Sequence, residues 1–303
     1  MGRGEIRVDG AALATRDSGV GQPILVVQTA LSVDETVLLT RQSALRDRYR
    51  VVTFDRRGYA ASATAEPTGS VEADARDCLA VLAGLNAVPA HVIGVSYSAA
   101  VALELAAAAP SAVGSLTIVE PPPRHVPSSA EFLAANRELL DLWRVKGLSV
   151  ALDSFMGRLA GPAWRQDQES LAPGSVARIE RDAPAFFSGD IPALLSWEYG
   201  PDKADQVTAP VLYVGGGDSG PWFQQTAVWA SSLFPGLTRV TIPGAGHDLA
   251  LTHPTELADT IQSFLASPPV AVRRAGLRFM APIETDDRTG GDANHAFISS
   301  SQG

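Results

Sequence analysis

The sequence predicts an α/β fold with a mostly parallel central sheet, helices on both sheet faces and a helical segment inserted between two strands. Short, continuous β-branched runs alternate along the chain with helix-length segments, and such runs are typical of parallel strands covered on both faces. One long interval, 121–205, interrupts the alternation and contains no strand-like run. The 303 residues are 46% hydrophobic, so the chain can bury a large core without disulfides or a structural metal.

The elements can be assigned in order along the chain. Two edge strands, Glu5–Asp9 and Ala12–Asp17, are expected around the turn Asp9-Gly10. Buried strands are expected at six later runs: Ile24–Gln28, Val51–Phe54, His91–Val95, Leu116–Val119, Val211–Val214 and Arg239–Ile242. Helices are expected between and after them: Asp34–Arg46, Ser70–Leu85, Tyr97–Ala109, Pro221–Phe234 and Thr255–Ala266.

The interval without strands is expected to form a helical cap over a pocket. Prolines punctuate both of its ends. The sheet domain would then comprise 1–120 and 206–266, and the residues 267–303 are expected to be a flexible tail. Helices are expected at four segments of the cap: Ala130–Lys146, Ser149–Leu159, Gly174–Ala183 and Ile191–Tyr199.

Composition excludes several classes of function. The single cysteine, Cys78, excludes a disulfide framework and a multi-cysteine metal site. A net charge of −9 argues against nucleic acid and anionic lipid as partners. There is no apolar run long enough to span a membrane and no Sec-type signal at the start, so we expect a cytoplasmic protein. No dinucleotide fingerprint or metal-ligand cluster is present, and no cofactor is implied.

A candidate nucleophile lies between a buried strand and an almost wholly apolar helix. Residues 94–98 read GVSYS, which is the setting of a nucleophile elbow that holds the Ser96 hydroxyl above the sheet. Small residues on both sides of the serine let the helix approach the strand, although Ser98 stands where glycine is usual. The alternative is an ordinary strand-to-helix turn with an N-capping serine.

A serine nucleophile needs a neighbouring base, and His247 is the best candidate. It lies in a glycine-rich loop, 243–248, directly after the last strand. That loop should leave the sheet at the same carboxyl edge as Ser96, where open parallel sheets bind their ligands.

Two carboxylates compete to orient the histidine. Asp218 follows the strand that ends at Val214, and Glu120 follows the strand that ends at Val119. Either could reach a histidine on a neighbouring loop, and either could complete a serine–histidine–acid triad. The sequence favours Asp218, with Glu120 as the other choice or as a second residue of the site.

These motifs together resemble the α/β-hydrolase superfamily over residues 5–266. Segment 55–62, DRRGYAAS, is similar to the superfamily's D-x-R-G-x-G-x-S loop, with Ala60 in place of a glycine. The resemblance implies an α/β-hydrolase fold with an oxyanion hole. The backbone N–H of Tyr97 should supply one donor, and Ala30, or next Thr29, should supply the other.

The junction of Glu120 with the following prolines resembles a subset of these enzymes, the zearalenone-type lactone hydrolases. In that subset the acid follows the sixth strand, and its spacing from the serine is the same. By this resemblance, Glu120 remains a candidate for the triad acid.

The predicted function is hydrolysis of an ester or lactone in a small apolar or aromatic molecule through an acyl-enzyme. The alternatives are carbon–carbon bond hydrolysis of a diketone, a cofactor-independent cyclase and a non-catalytic small-molecule-binding protein. The chain is expected to be a monomer or a homodimer. Aromatic residues in and near the cap are the candidates for substrate binding: Trp143, Phe186, Phe187, Trp197 and Trp222.

Overall fold

The structure is a computed structural model that describes residues 2–31 and 34–267, and within them eight strands form one sheet. The strands are β1 (Gly2–Val8), β2 (Ala11–Ser18), β3 (Pro23–Val26), β4 (Arg50–Phe54), β5 (Ala90–Val95), β6 (Val113–Val119), β7 (Val211–Gly216) and β8 (Thr238–Ile242). Their order is β1-β2-β4-β3-β5-β6-β7-β8. The pairs β1–β2 and β2–β4 are antiparallel and all other neighbours are parallel, which confirms the predicted mostly parallel sheet.

The strands differ in how completely they are covered. β3, β5 and β6 are buried over most of their length, as their continuous apolar sequences predict. The expectation that both initial strands lie at the edge is wrong for β2, because it pairs with β1 on one side and with β4 on the other. β8 ends the sheet at the other side, and most of its residues are exposed or half-buried.

The described residues also contain thirteen α-helices. They are α1 (Asp34–Thr40), α2 (Ser43–Arg46), α3 (Val71–Gly84), α4 (Tyr97–Ala108), α5 (Ser129–Lys146), α6 (Leu148–Ala160), α7 (Trp164–Leu171), α8 (Ser175–Ala185), α9 (Ile191–Ser196), α10 (Pro201–Ala204), α11 (Pro221–Leu233), α12 (Leu249–Thr252) and α13 (Pro254–Ala266). The single helix expected over 34–46 is broken, because Gln42 has an extended backbone that separates α1 from α2. Helix α7 was not predicted, since its sequence is strongly polar.

Helices cover both faces of the sheet. On one face, side chains of α3, α4 and α11 pack against the strands in one apolar cluster. On the other face, α1, α2, α12 and α13 do the same in a second cluster. Burial of each large aliphatic side chain contributes about 1.5–3 kcal/mol to stability, so these two layers fix the sheet and the loops at its carboxyl edge.

The helical insertion, residues 121–205, connects β6 to β7 and contains α5 to α10. Helices α5 to α9 share a third apolar cluster, which also includes Leu31 from the loop after β3. All described residues belong to one compact unit. Within them, no helix is both long and apolar enough to cross a membrane. The predicted tail lies outside the described residues, apart from Ser267.

Candidate active site

Ser96 lies at the tight turn between β5 and α4. Its backbone has φ 51° and ψ −118°, a conformation that few residues other than glycine adopt. Its N–H donates to the Val119 carbonyl at the end of the neighbouring strand at 2.9 Å. The turn therefore holds the serine side chain at the carboxyl edge of the sheet, away from the helix axis.

Two small residues make this turn possible. A Cβ at Gly94 would lie 2.2 Å from the Ser98 carbonyl oxygen, so a larger residue cannot stand there. Ser98, in place of the usual glycine, has a structural use for its hydroxyl: Oγ accepts from the Val95 N–H at 2.8 Å and donates to the Val95 carbonyl at 2.9 Å. This contact ties the first turn of α4 to the end of β5.

His247 connects Ser96 to a carboxylate. Its Nε2 lies 3.0 Å from Ser96 Oγ, and its Nδ1 lies 2.7 Å from Glu120 Oε2. A carboxylate only accepts hydrogen bonds, so Nδ1 donates to Glu120 and Nε2 is free to accept from the serine hydroxyl. The arrangement is that of a nucleophile, a general base and an acid that fixes the base's tautomer.

Glu120 is held from three directions. It has φ 42° directly after β6, and only 1% of its side chain is exposed. Its Oε1 accepts from the Gly216 N–H at 2.7 Å, and its own N–H donates to the Val214 carbonyl at 3.2 Å. Strand β7 therefore anchors the carboxylate, which leaves Oε2 for His247.

Asp218, the acid that the sequence favours, is placed differently. It lies in an exposed turn after β7, and its N–H donates to the Ala245 carbonyl at 2.9 Å. Among the described residues its carboxylate makes no hydrogen bond to His247. The chain is exposed at 217 and 218, whereas the Glu120 side chain is buried and reaches His247 Nδ1. The structure thus brings Glu120, and not Asp218, to the histidine.

The candidate oxyanion-hole residues surround the serine. Tyr97 is the first residue of α4, and Thr29 and Ala30 line the same pocket as Ser96 and His247. The Thr29 hydroxyl donates to the Val95 carbonyl at 2.8 Å, so this side chain joins the loop after β3 to the elbow. The backbone N–H groups of this loop and of Tyr97 are the atoms available for an oxyanion.

A pocket opens over Ser96 and His247. One wall comes from the loop after β3 and from α1, and the other comes from the helical insertion. The insertion residues that line it are Phe155, Met156, Leu159, Ala160, Gln168 and Ile179. Most of this wall lies on α6, where the pairs 155/159 and 156/160 are four residues apart and therefore lie on the same side of the helix. The wall is mainly apolar.

The aromatic residues expected to bind substrate lie elsewhere. Within the described residues, the pocket lining includes none of the five candidates: Trp143, Phe186, Phe187, Trp197 and Trp222. Phe187 is fully buried beside Trp143 at a ring distance of 5.5 Å, and Trp197 Nε1 donates to Glu104 Oε1 at 2.8 Å. Trp222 is half-buried, edge-on to the ring of Phe132. These rings pack the helices of the insertion against each other and against the sheet domain, and this packing keeps them out of the pocket.

Glu35 is a polar group of the pocket that the sequence did not suggest. It lies in the first turn of α1 and lines the pocket beside Asp248. Burial, together with the negative charges of Asp248 and Asp34, raises the pKa of Glu35 to about 8. At neutral pH the carboxyl group is therefore largely protonated and can donate a hydrogen bond into the pocket.

Phe223 is another aromatic residue of the site, and the five predicted substrate-binding residues do not include it. Its ring stacks on the imidazole of His247, with centroids 3.8 Å apart and planes at 10°. The ring covers one face of the imidazole. Its position at the start of α11, after the glycine-rich turn of β7, is the only signal in the sequence that could have suggested it.

Comparison with known proteins gives the family. A model described as the alpha/beta hydrolase family matches residues 31–260. The chain belongs to the alpha/beta hydrolase family. This membership agrees with the strand order, with the serine at the strand-to-helix turn and with the histidine loop after the last strand.

Solved structures share the fold of this alpha/beta hydrolase. An esterase from Thermogutta terrifontis has a TM-score of 0.73 at 20% identity, over 88% of this chain and 98% of that one. An enol-lactonase from Burkholderia xenovorans LB400 has a TM-score of 0.72 at 19% identity, over 87% and 100%. At these identities the likeness shows the fold alone.

A curated relative gives a shorter match to this alpha/beta hydrolase. RutD of Agrobacterium fabrum, described as a candidate carbamate hydrolase, is 26% identical over 168 residues, which are 55% of this chain and 62% of RutD. The match therefore spans less than two thirds of that relative's length.

Proposed function

We propose that this alpha/beta hydrolase cleaves an ester or lactone bond in a small, neutral, largely apolar molecule through an acyl-enzyme on Ser96. The observation that carries the proposal is the hydrogen-bonded series Ser96–His247–Glu120, with distances of 3.0 and 2.7 Å, at the base of an apolar pocket. The esterase and the enol-lactonase of the same fold support this reaction class.

The first half of the proposed reaction forms the acyl-enzyme. Ser96 Oγ attacks the carbonyl carbon while its proton passes to His247 Nε2, and the carbonyl π electrons move onto oxygen. The N–H groups of Tyr97 and Ala30 stabilise this oxyanion, and one such donor typically contributes about 3–4 kcal/mol to lowering the barrier. When the oxyanion collapses, the bond to the leaving oxygen breaks, and that oxygen takes the proton from Nε2.

The second half regenerates the enzyme. Water attacks the acyl carbon and gives a proton to Nε2, a second oxyanion forms and collapses, and Ser96 Oγ recovers its proton as the acid product leaves. In both halves Glu120 stabilises the imidazolium that forms on His247 and keeps Nε2 directed at the serine. For a lactone, the acid and the alcohol remain in one molecule.

The pocket lining supports a neutral substrate with an apolar body. Phe155, Met156 and Ile179 offer hydrocarbon surface, so an apolar acyl group would be desolvated there. Asp248 also lines the pocket, and its negative charge disfavours a substrate anion near it. In this proposal the helical insertion acts as the cap that encloses the substrate.

The test is labelling with a fluorophosphonate probe, followed by intact mass and peptide mapping. Wild-type protein should take one label at Ser96, and Ser96→Ala and His247→Ala should take none although both unfold near the wild-type temperature. A panel of p-nitrophenyl esters and lactones of graded chain length should be hydrolysed with the same dependence on both residues. Folded wild type that takes no label and hydrolyses no member of the panel would exclude the acyl-enzyme.

A further inference from the structure

A buried arginine lies directly behind the loop that lines the pocket at 29–31. Arg56 follows β4 and is 2% exposed. Its Nε donates to the Gln28 carbonyl at 2.9 Å, and its Nη2 donates to the Thr29 carbonyl at 3.4 Å. Its backbone N–H donates to Gln28 Oε1 at 2.9 Å. One residue thus holds two successive carbonyl groups of the loop after β3.

These contacts determine where the loop's N–H groups point. In a trans peptide the carbonyl and the N–H of the same unit point in opposite directions. Because the carbonyls of Gln28 and Thr29 face Arg56, the N–H groups of Thr29 and Ala30 face away from it. Ala30, Thr29 and Ser96 line the same pocket. Successive N–H groups on one side of the chain form an anion-binding concavity, and here that side is the pocket side.

The guanidinium also joins the loop to the helical insertion. Nη1 and Nη2 make a two-point ion pair with Asp190, at 2.9 and 2.7 Å. Asp190 ends a π-helical turn, Phe186–Asp190, between α8 and α9. Its Oδ2 also accepts from the Tyr59 hydroxyl at 2.5 Å, and the same hydroxyl oxygen accepts from the Leu31 N–H at 3.4 Å. The loop is therefore held at both ends by groups bound to one carboxylate of the insertion.

The same guanidinium reaches the elbow. Nη1 donates to Asp74 Oδ2 at 2.9 Å, and the Tyr97 hydroxyl donates to that oxygen at 2.8 Å. Tyr97 immediately follows Ser96 and is the predicted source of the other oxyanion donor. The rings of Tyr59 and Tyr97 lie 4.7 and 4.4 Å from the guanidinium carbon, so the cation is enclosed by aromatic faces as well as by carboxylates.

We propose that Arg56 is a positioning residue for the oxyanion hole, and that through Asp190 the seating of the helical insertion sets the geometry of that hole. The inference rests on the proposed function. A planar, five-donor guanidinium is needed, since it contacts two carbonyls and two carboxylates at once, and a lysine ammonium has only three donors. The insertion would thereby affect transition-state stabilisation as well as substrate fit.

The test uses an alkyl trifluoromethyl ketone, which Ser96 Oγ attacks to form a tetrahedral adduct whose oxyanion occupies the hole while His247 holds the serine's proton. Its inhibition constant is measured for wild type, Arg56→Lys, Asp190→Asn and Tyr59→Phe, beside kcat and KM for a p-nitrophenyl ester and the thermal midpoint. The matched control is Arg57→Lys. Arg57 donates to Asp77 at 2.7 and 2.8 Å and to the Val8 carbonyl at 3.0 Å, and it makes no hydrogen bond to residues 28–31 within the described chain.

We expect Arg56→Lys to lower the affinity for the ketone and kcat by a similar factor, about 100-fold, because a misplacement of about 1 Å has an effect of this size. KM should change little. Asp190→Asn and Tyr59→Phe keep the arginine, so their losses of ketone affinity and of kcat should be smaller than those of Arg56→Lys. In a plot of one loss against the other, all three variants should fall on one line. Arg57→Lys should leave ketone affinity and kcat near the wild-type values.

Two results would overturn the inference in distinguishable ways. In the first, the thermal midpoint of the variants falls but their ketone affinity and kcat stay at wild-type values. Arg56 then has a purely structural role, and the proposed function is unaffected. Wild type that forms no adduct with the ketone and takes no phosphonate label removes the proposed function and this inference together. If Arg56→Lys does not fold, Asp190→Asn and Tyr59→Phe decide the outcome by the same comparison.

Discussion

The ends of β6 and β7 are neighbours at the carboxyl edge of one sheet, and each is followed by a carboxylate, yet only one of these faces the histidine. Glu120 turns inward with φ 42° and is 1% exposed, with both of its oxygens hydrogen-bonded. Asp218 continues into an exposed turn, and its backbone N–H, not its carboxylate, hydrogen-bonds to the Ala245 carbonyl of the histidine loop. A position at the carboxyl end of a strand therefore identifies candidate carboxylates. The backbone conformation after the strand then determines which carboxylate reaches the histidine.

The most sensitive test of this comparison exchanges each carboxylate for its amide. Glu120→Gln should lower kcat roughly 1,000- to 10,000-fold, since an amide no longer fixes the histidine tautomer or stabilises the imidazolium. Asp218→Asn should change kcat less than about two-fold, as is usual for an exposed group with no partner in the reaction. Both are measured on a p-nitrophenyl ester with the thermal midpoint as control. Equal losses of kcat in the two variants would show that Asp218 is as important for the reaction as Glu120.

A second test moves the backbone that anchors Glu120. A Cβ at Gly216 would lie 2.3 Å from the Ala245 carbonyl oxygen and 2.8 Å from that of Gly246. Gly216→Ala should push the histidine loop away, destabilise the fold by about 1–3 kcal/mol as overpacking does, and slow the reaction as well. At Gly217 the nearest atoms are 3.4 Å away, so Gly217→Ala is the matched control. Urea unfolding and kcat are measured on both, and identical behaviour would mean that the loop adapts.

Glu35 is a third acidic residue of this region; it is half-buried in the pocket and, within the described chain, makes no hydrogen bond to a histidine. Since burial raises its pKa from 4.5 to about 8, the native state binds more protons than the unfolded state between these values. The free energy of unfolding should then fall as pH rises from about 5 to 8, with a slope of at most about 1.4 kcal/mol per pH unit from this group. Glu35→Gln should remove that slope.

Exposed Glu66 supplies the control for this pH dependence, as Glu66→Gln should keep the wild-type slope. Urea unfolding at half-unit steps of pH compares the three proteins. A Glu35→Gln curve parallel to wild type would show that the native carboxyl is already ionised at neutral pH.

The smallest expected effect concerns the pocket wall. Phe155 lines the pocket, while Trp222 packs on Phe132 outside it. Phe155→Ala should shift the preferred p-nitrophenyl ester toward longer acyl chains by about 10-fold in relative kcat/KM, the order of magnitude of one or two methylenes in an apolar pocket. Trp222→Phe should leave the chain-length profile unchanged. If the chain-length profile shifts in Trp222→Phe but not in Phe155→Ala, the acyl chain binds near Trp222 and not against Phe155.

Much of the fold was predictable because its signals are local. Continuous β-branched runs identified the parallel strands, and the glycine before Ser96 and the glycine-rich loop before His247 mark turns whose geometry depends on a few neighbouring residues. The broken helix over 34–46 was not predictable, since the extended backbone at Gln42 has no strong breaker residue to announce it.

The rest of the site depends on long-range packing. The choice of Glu120 depends on the pairing of β6 with β7 and on a hydrogen bond from Gly216, ninety-six residues away in the chain. The pocket wall depends on which face of α6 the insertion turns inward. Apolar periodicity reports that a helix has a buried face, but not whether that face meets another helix or a cavity.

The close approach at Gly94 has a genetic consequence. Every codon change that replaces this glycine adds a Cβ atom, and that atom would lie 2.2 Å from a backbone oxygen of α4, the helix that follows Ser96. No single-nucleotide substitution that changes this amino acid leaves room for α4 to pack on β5 as it does. In a saturation library the codon should be purged of every replacement, even in a selection for stability alone.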